Sequence, residues 1–275
     1  MEKIMLWPDG AKALADNSGD DFLPYMTFYP SQEALPEAGR GRPAMVIFPG
    51  GAYVMRAPHE GGDIAERFVQ FGFSCFVVEY RVAPHAFPGP QQDAFRAIQL
   101  IRANAERFGI DPEQISTIGF SAGGHLSACT ATLFDDENVD SSAGDAADAF
   151  CRRPNAVGLS YPVITSNAFT HVGSMQNLQG KLYPHLNQRL SLELRVTDNT
   201  PPTFIWTTAN DQAVPVQNSI LFMESMLSHK LPVELHIFPD GVHGLGLAND
   251  HADIAQWPAL YAKFLRSTVS FNCKG

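Results

Sequence analysis

Residues 115–134 read ISTIGFSAGGHLSACTATLF, and their pattern changes from strand-like to helix-like at the centre. The run ISTIGF predicts a buried strand, and the residues after Ser121 predict a helix. Between them lies Gly-x-Ser-x-Gly, the pattern of a sharp strand-to-helix turn that exposes a nucleophilic serine hydroxyl. The motif alone would favour a glycine-rich turn with an incidental serine, but this context predicts a nucleophile at Ser121.

Small residues around Ser121 fit the geometry of such a turn. Gly119 and Gly123 stand where side chains would collide, and Gly124 lets the helix pack closely against its neighbours. The backbone N–H of Ala122, at the start of the helix, is directed towards a negative oxygen formed beside Ser121. We therefore expect Ala122 to be one donor of an oxyanion hole.

Apolar, β-rich runs alternate with helical patterns on both sides of this turn. The alternation predicts an α/β fold with a mostly parallel central sheet and helices on both faces. The predicted strands are residues 44–48, 74–80, 115–120, 155–161, 203–208 and 233–238, and the predicted helices are residues 64–72, 91–109, 121–134, 214–230 and 252–267. We expect one domain over residues 1–275, because a chain of 275 residues with 45% hydrophobic content can bury a full core.

Two segments interrupt this rhythm. Residues 135–148 are acidic and rich in small side chains, and residues 165–201 are polar and rich in Asn and Gln. Long irregular connections in a compact domain are usually either mobile or functional. We expect residues 165–201 to form a short lid insertion over the active site.

The strand 44–48 ends in PGGAY, residues 49–53. Adjacent glycines at a strand end permit unusual backbone angles and close approach to a ligand. Taken alone, PGG is better explained by a tight turn, but its place one βαβ unit before the serine favours an oxyanion hole. We expect Gly51 and Ala52 to be donors and Gly50 to supply the bend.

A nucleophilic serine needs a base, and the base needs an orienting carboxylate. Asp211 follows the predicted strand 203–208, and His243 follows the strand 233–238 in a glycine-rich loop. Both lie at the carboxyl ends of strands, the edge where open α/β sheets place their chemistry. We expect Ser121, Asp211 and His243 to form a catalytic triad.

Other acids and histidines are weaker candidates. Asp240 precedes His243 by only three residues, and Glu193 and Asp198 lie in the predicted lid. His125 either contacts the site or packs in the core. No HxH, HExxH or His/Asp cluster predicts a metal site, and no cofactor is expected.

Charge and cysteine content exclude several classes of function. A net charge of −10 without a basic stripe argues against binding to nucleic acid or an anionic membrane. No stretch approaches the roughly 18 apolar residues of a membrane span, and the start MEKIMLWPDG lacks a signal-peptide pattern, so we expect a cytoplasmic protein. The four scattered cysteines predict neither a zinc site nor disulfides: Cys75, Cys129, Cys151 and Cys273.

The chain resembles bacterial carboxylesterases and acetylesterases of the hormone-sensitive-lipase-like branch of the α/β-hydrolase superfamily, from about Ala44 to the end. The motifs that carry the likeness are PGGAY, GFSAGGH, TPPTFIWTTANDQAVP and FPDGVHGLGLA. The resemblance implies the α/β-hydrolase fold and a serine esterase that acts on short-acyl, acetyl-type esters. In the acetyl-xylan-esterase-like members these esters are acetylated carbohydrates. It also implies a small-molecule ester as the partner and, because members of this branch frequently associate, a homo-oligomer. The residues at the matching positions are the triad Ser121, Asp211 and His243 and the oxyanion donors Gly51, Ala52 and Ala122.

Two departures from that pattern bear on the substrate. Phe48 precedes the glycines where relatives often carry His. We also expect no large N-terminal cap like that of the lipase-like members, because the opening residues could not build one. A small cap leaves little apolar surface for long acyl chains. Tyr53 and Phe120 are candidates for the substrate pocket, although aromatic residues near strand ends are as often part of the core.

Two other functions remain open. A peptidase of the same fold would use the same three residues, but such enzymes generally carry a large gating domain and paired acids for a substrate amine. A non-catalytic binding protein of this fold would typically lack the nucleophile or the base, and both are present.

Overall fold

The computed structural model describes residues 1–8, 21–32 and 41–271, so Cys273 lies outside the described residues. Eight strands form one sheet in the order β1-β2-β4-β3-β5-β6-β7-β8. They are β1 (Glu2–Met5), β2 (Tyr25–Tyr29), β3 (Arg42–Phe48), β4 (Ser74–Glu79), β5 (Ile110–Phe120), β6 (Ala156–Ser160), β7 (Thr203–Thr208) and β8 (Val233–Phe238). Strands β3 to β8 pair in parallel, while β2 pairs antiparallel with both β1 and β4.

Helices cover both faces of the sheet. They are α1 (Gly62–Val69), α2 (Gly89–Ala103), α3 (Ala105–Phe108), α4 (Ala122–Thr132), α5 (Val172–Gln179), α6 (Asn187–Leu190), α7 (Gln217–Ser228) and α8 (Trp257–Thr268). α1 and α8 pack on one face through an aromatic core that includes Phe68 and Trp257. α2, α4 and α7 pack on the other face. The predicted α/β class, with a mostly parallel sheet between two helical layers, is confirmed.

The edge strand β1 and its neighbour β2 were not predicted. Both are short, and β1 is largely exposed, so neither has the continuous apolar pattern of a buried parallel strand. The predicted helix 91–109 is also divided, because α2 ends at Ala103 and α3 begins at Ala105. Between them, Asn104 turns its side-chain amide back to the Leu100 carbonyl at 2.8 Å, a local hydrogen bond that competes with helix propagation.

The acidic segment 135–148 is bound to the domain by its charges. The guanidinium of Arg96, which is fully buried, pairs with Asp145 and Asp148. Asp148 in turn accepts hydrogen bonds from the backbone N–H groups of Ala143 and Gly144. The segment is therefore a structural connection that satisfies a buried cation. Among the described residues, no helix combines the length and apolar character needed to cross a bilayer.

The turn between β5 and α4 brings backbone against backbone. A Cβ atom at Gly119 would collide with the backbone of Gly123, and one at Gly123 would collide with the Phe48 carbonyl at the end of β3. A Cβ at Gly124 would lie 2.7 Å from Pro162. These positions require glycine because no side chain fits between α4 and the strands that it crosses.

We expect Gly123→Ala to lower the free energy of unfolding by about 2–4 kcal/mol, because α4 must move away from β3 to admit the methyl group. Gly173→Ala is the matched control. Its Cβ would lie 3.6 Å from the nearest atom, and alanine is the better helix former in α5. Urea denaturation measures both variants, and equal stabilities would contradict the packing described here.

Candidate active site

Three side chains that are distant in sequence meet above the carboxyl ends of the strands. The Nε2 atom of His243 lies 2.8 Å from the Ser121 hydroxyl oxygen, and its Nδ1 atom lies 2.6 Å from the Asp211 carboxylate. Because a carboxylate can only accept, Nδ1 carries the proton and Nε2 accepts from the serine hydroxyl. The predicted triad residues are thus brought together in the order that base-assisted attack by a serine requires.

Asp211 is held by the loop that follows β7. One carboxylate oxygen accepts from the N–H groups of Ala213 and Val214 at 2.8 and 2.9 Å, while the other accepts from His243. Burial of the Asp211 side chain would raise its pKa, but the hydrogen bond from His243 and the two backbone N–H groups outweigh burial and lower the pKa overall. The carboxylate therefore stays ionised and orients the imidazole.

The turn at Ser121 is locked by backbone hydrogen bonds. Ser121 has φ 54° and ψ −117°, a strained conformation for a residue with a side chain. Its N–H donates to the Ser160 carbonyl, and its carbonyl accepts from the N–H groups of His125 and Val163. Because a trans peptide directs its C=O and N–H to opposite sides, anchoring the Ser121 carbonyl fixes the direction of the Ala122 N–H.

The same reasoning applies to the predicted oxyanion loop. The Gly50 carbonyl accepts from Ala57 N–H at 2.9 Å, and the Gly51 carbonyl accepts from Val54 N–H at 3.0 Å. These bonds fix the two peptide planes that carry the N–H groups of Gly51 and Ala52. Within the described chain neither N–H has an internal hydrogen-bond partner, so both are free to donate to a ligand.

Contact with the serine explains the glycine at position 50. A Cβ atom at Gly50 would lie 3.0 Å from Ser121 Cβ and 2.7 Å from a Glu60 carboxylate oxygen. Gly51, Ala52 and Tyr53 all have positive φ angles, 126°, 54° and 56°. The loop is therefore folded tightly against the turn that carries Ser121.

Tyr53 and Phe120 do not line an open pocket. Both side chains are fully buried. The Tyr53 hydroxyl lies 2.9 Å from His125 Nδ1, whereas Phe120 packs on Tyr161 and Trp257 on the opposite face of the sheet. Strand alternation explains the burial of Phe120, because the last residue of β5 points to the face of the sheet opposite to its neighbour in the chain.

His125 is a core residue. Its two ring nitrogens contact the Tyr53 hydroxyl and the Leu190 carbonyl, and burial lowers its pKa to about 4. Its ring is therefore neutral near pH 7 and holds α4 to the segment after β6. Asp240 pairs with the side-chain amide of Asn210, and Asp198 pairs with His229, so neither acid contacts His243.

The segment predicted as a lid packs onto the domain and reaches the oxyanion loop. It contains α5 and α6, and it buries Met175, Leu178 and Leu190 in the core. From α5, Asn177 donates its side-chain N–H to the Ala52 carbonyl at 2.8 Å. The segment therefore supports the loop that faces Ser121.

Two polar residues beside the triad escaped the sequence analysis. Glu60 is buried, and its carboxylate accepts from Gly50 N–H at 2.7 Å and from the Tyr161 hydroxyl at 2.6 Å. The Tyr161 ring packs edge-on to the His243 ring, with centroids 5.1 Å apart. No local motif marks these residues, because their partners lie far away in the sequence.

In the part of the chain that the structure describes, no group of three or more His, Cys, Asp or Glu side chains is placed to hold a metal ion. Cys75, Cys129 and Cys151 are free thiols. The polar groups at the site are thus a hydroxyl, an imidazole, a carboxylate and free backbone N–H groups.

A serine on a strand-to-helix turn, followed by an acid and a histidine at later strand ends, defines the α/β-hydrolase fold and its serine hydrolase site. A solved structure with the same fold is an acetyl ester-xyloside bifunctional hydrolase from Caldicellulosiruptor lactoaceticus. It is 38% identical, with a TM-score of 0.91, and the match covers 98% of this chain and 97% of that one. The profile of the BD-FAE family matches residues 34–226. The chain belongs to the BD-FAE family.

Two curated relatives are longer than this chain. Endo-1,4-beta-xylanase B of Butyrivibrio fibrisolvens is 40% identical over 216 residues, which are 76% of this chain and 33% of that protein. Acetylxylan esterase of Xylanibacter ruminicola is 32% identical over 243 residues, 86% of this chain and 46% of that protein. The chain therefore spans between a third and a half of the length of these relatives.

We expect Asp211→Asn to slow labelling of Ser121 by a fluorophosphonate at least about 100-fold, because the amide no longer holds the imidazole in the required tautomer. Asp240→Asn is the matched control and should label within about twofold of the unmodified protein, as exposed substitutions rarely propagate to a site. Time-resolved labelling measures both. A larger effect of Asp240→Asn than of Asp211→Asn would show that Asp211 is not the orienting carboxylate.

Proposed function

We propose that this protein is a serine carboxylesterase that hydrolyses short-acyl, acetyl-type esters, including acetylated carbohydrates. The contact chain from Ser121 through His243 to Asp211 carries the proposal. In this assignment Ser121 is the nucleophile, His243 the general base and acid, and Asp211 the orienting carboxylate. Gly51, Ala52 and Ala122 are the oxyanion donors.

The proposed reaction proceeds through an acyl-enzyme. The Ser121 oxygen attacks the ester carbonyl while His243 Nε2 takes the hydroxyl proton, and the three backbone N–H groups hold the resulting oxyanion. When the tetrahedral intermediate collapses, the alcohol leaves with the proton from His243. Water then attacks the acyl group by the same steps, releasing the carboxylic acid and restoring the serine.

The surroundings of the triad favour a small acyl group. Tyr53 and Phe120, the aromatic residues within the motifs, are fully buried and offer no surface to an acyl chain. Val54, Met55 and Val242, beside the oxyanion loop and the base, are more than half exposed. An open rim of this kind accommodates a bulky alcohol more readily than an extended acyl chain.

The relatives support a carbohydrate alcohol. One is named an acetylxylan esterase, and the similar solved structure is described as an acetyl ester-xyloside hydrolase. A sugar hydroxyl esterified with acetate combines the short acyl group and the large leaving alcohol that the site favours. We therefore infer that acetylated xylo-oligosaccharides belong to the substrate class.

We expect Ser121→Ala to abolish hydrolysis of p-nitrophenyl acetate, with a loss of kcat of at least about 10⁴-fold, because no other group can form the acyl-enzyme. Ser267→Ala, at an exposed serine of α8, is the control and should keep full activity. Initial rates with purified protein measure both. Residual activity of Ser121→Ala near the wild-type level would refute the nucleophile.

Acyl preference is tested with p-nitrophenyl esters from acetate to decanoate and with acetylated xylo-oligosaccharides. We expect kcat/KM to be highest for the shortest esters and to fall at least about tenfold by the octanoate, because each added methylene lacks a buried apolar surface to occupy. Acetate release from the sugars should match or exceed that from p-nitrophenyl acetate. An optimum at long chains would overturn the substrate class.

A further inference from the structure

We propose that Glu60 is a positioning residue that fixes the oxyanion loop and the His243 loop relative to each other; this rests on the proposed esterase function. Glu60 ends the 3₁₀ turn Pro58–Glu60, which follows the oxyanion loop, and it is 2% exposed. Among the described residues, its carboxylate has no lysine or arginine ion-pair partner, and the imidazole of His59 lies 3.8 Å away and is half exposed. Such a group persists in the interior only where hydrogen bonds hold it.

The first contact of Glu60 is with the oxyanion loop. Its Oε2 atom accepts from Gly50 N–H at 2.7 Å. The next peptide plane, whose carbonyl belongs to Gly50, carries the Gly51 N–H, so a shift of Gly50 displaces an oxyanion donor. A hydrogen bond from a backbone N–H to a carboxylate is stronger than one to a neutral acceptor.

The second contact of Glu60 leads to the base. Its Oε1 atom accepts from the Tyr161 hydroxyl at 2.6 Å, and that hydroxyl oxygen accepts from Gly246 N–H at 2.9 Å. Gly246 belongs to the loop of His243, and the Tyr161 ring packs edge-on to the His243 ring. The hydrogen bonds thus run in one direction from the His243 loop, through Tyr161, to the carboxylate.

The neighbouring residue reinforces this connection. His59 donates from Nε2 to the Gly244 carbonyl at 2.9 Å, so two adjacent side chains of one turn reach the loop that carries the base, His59 directly and Glu60 through Tyr161. Gly244 and Gly246 have φ angles of 82° and 55°, and this backbone is intrinsically mobile unless anchored. The turn Pro58–Glu60 therefore connects two loops that share no direct hydrogen bond in the described chain.

Catalysis needs both loops at once. The oxyanion donors must face the carbonyl oxygen while His243 faces the serine hydroxyl, and a displacement of about 1 Å can cost about 100-fold in rate. A carboxylate suits this position because both of its partners are donors, whereas an amide can accept from only one of them. Glu60→Gln therefore breaks one arm and preserves side-chain volume.

The test combines kinetics with a boronic acid, which forms a tetrahedral adduct with Ser121. We expect Glu60→Gln to lower kcat for p-nitrophenyl acetate by about 10–100-fold, with KM within about threefold, because only the transition state needs the alignment. Tyr161→Phe, which removes the arm to the base, should lower kcat about tenfold. The Ki of methaneboronic acid should rise about as much as kcat/KM falls, since the adduct resembles the transition state.

Tyr261→Phe is the matched control. Its hydroxyl is equally buried and donates to the Thr117 carbonyl at 2.8 Å, within β5. Loss of this buried hydrogen bond should lower stability as Tyr161→Phe does, and leave kcat and Ki unchanged. Ki is a property of the folded molecules alone, so a purely structural role of Glu60 would not change it.

The double variant Glu60→Gln/Tyr161→Phe should lose little more than the worse single variant, because both changes break one hydrogen-bond chain. Unchanged kcat and Ki in Tyr161→Phe, or in a folded Glu60→Gln, would overturn the proposal. If Glu60→Gln does not fold, the kcat and Ki of Tyr161→Phe alone test the proposal. If the wild-type protein hydrolyses no ester, the proposed function fails. The role of Glu60 is then still tested by comparing the boronate affinities of the wild-type protein and the variants by calorimetry.

Discussion

The close approach of α4 to β3 and β5 is the constraint on which the site depends. Glycines at 119 and 123 let backbone meet backbone, so the chain can reverse within one residue, at Ser121. That residue takes a positive φ, and its backbone hydrogen bonds with Ser160, His125 and Val163 hold it there. The strain of the turn is balanced by the packing of a whole helix, and the result is a serine hydroxyl held at a fixed height above the sheet.

Around this turn, hydrogen bonds within the protein fix the orientation of the peptide groups and of the carboxylate at the site. The carbonyls of Ser121, Gly50 and Gly51 are all anchored, which determines where the adjoining N–H groups point. The Asp211 carboxylate is likewise held by two backbone N–H groups before it receives the imidazole. A site built in this way is aligned by folding itself and needs little rearrangement when an ester arrives.

Sequence reasoning was strongest where function and local pattern coincide. Six parallel strands read as continuous apolar runs, and the triad residues follow three of them, so their meeting at one edge could be predicted from topology. Strands β1 and β2 were missed because half-exposed strands of four or five residues lack that signal. The sequence also does not show on which face of the sheet the Phe120 side chain lies, because this depends on the alternation of side chains along β5 in the folded sheet.

Glu60 and Tyr161 show why the rest could not be predicted. Their hydroxyl-to-carboxylate contact spans 101 positions in the chain, and an isolated glutamate after a loop reads as a surface charge. The role of each comes from the partner that the fold brings to it. A sequence contains such pairs without any local mark, in contrast to the glycines of the turn, whose necessity can be inferred from the motif.

The bond from Asn177 to the Ala52 carbonyl has a consequence for how this scaffold can diversify. The segment between β6 and β7 is the natural place to exchange when a new alcohol must be recognised, since insertions there leave the sheet intact. Yet the same segment supports a loop that the chemistry requires. Grafting a foreign segment would therefore alter turnover as well as selectivity, unless the replacement returns an amide donor to the same carbonyl.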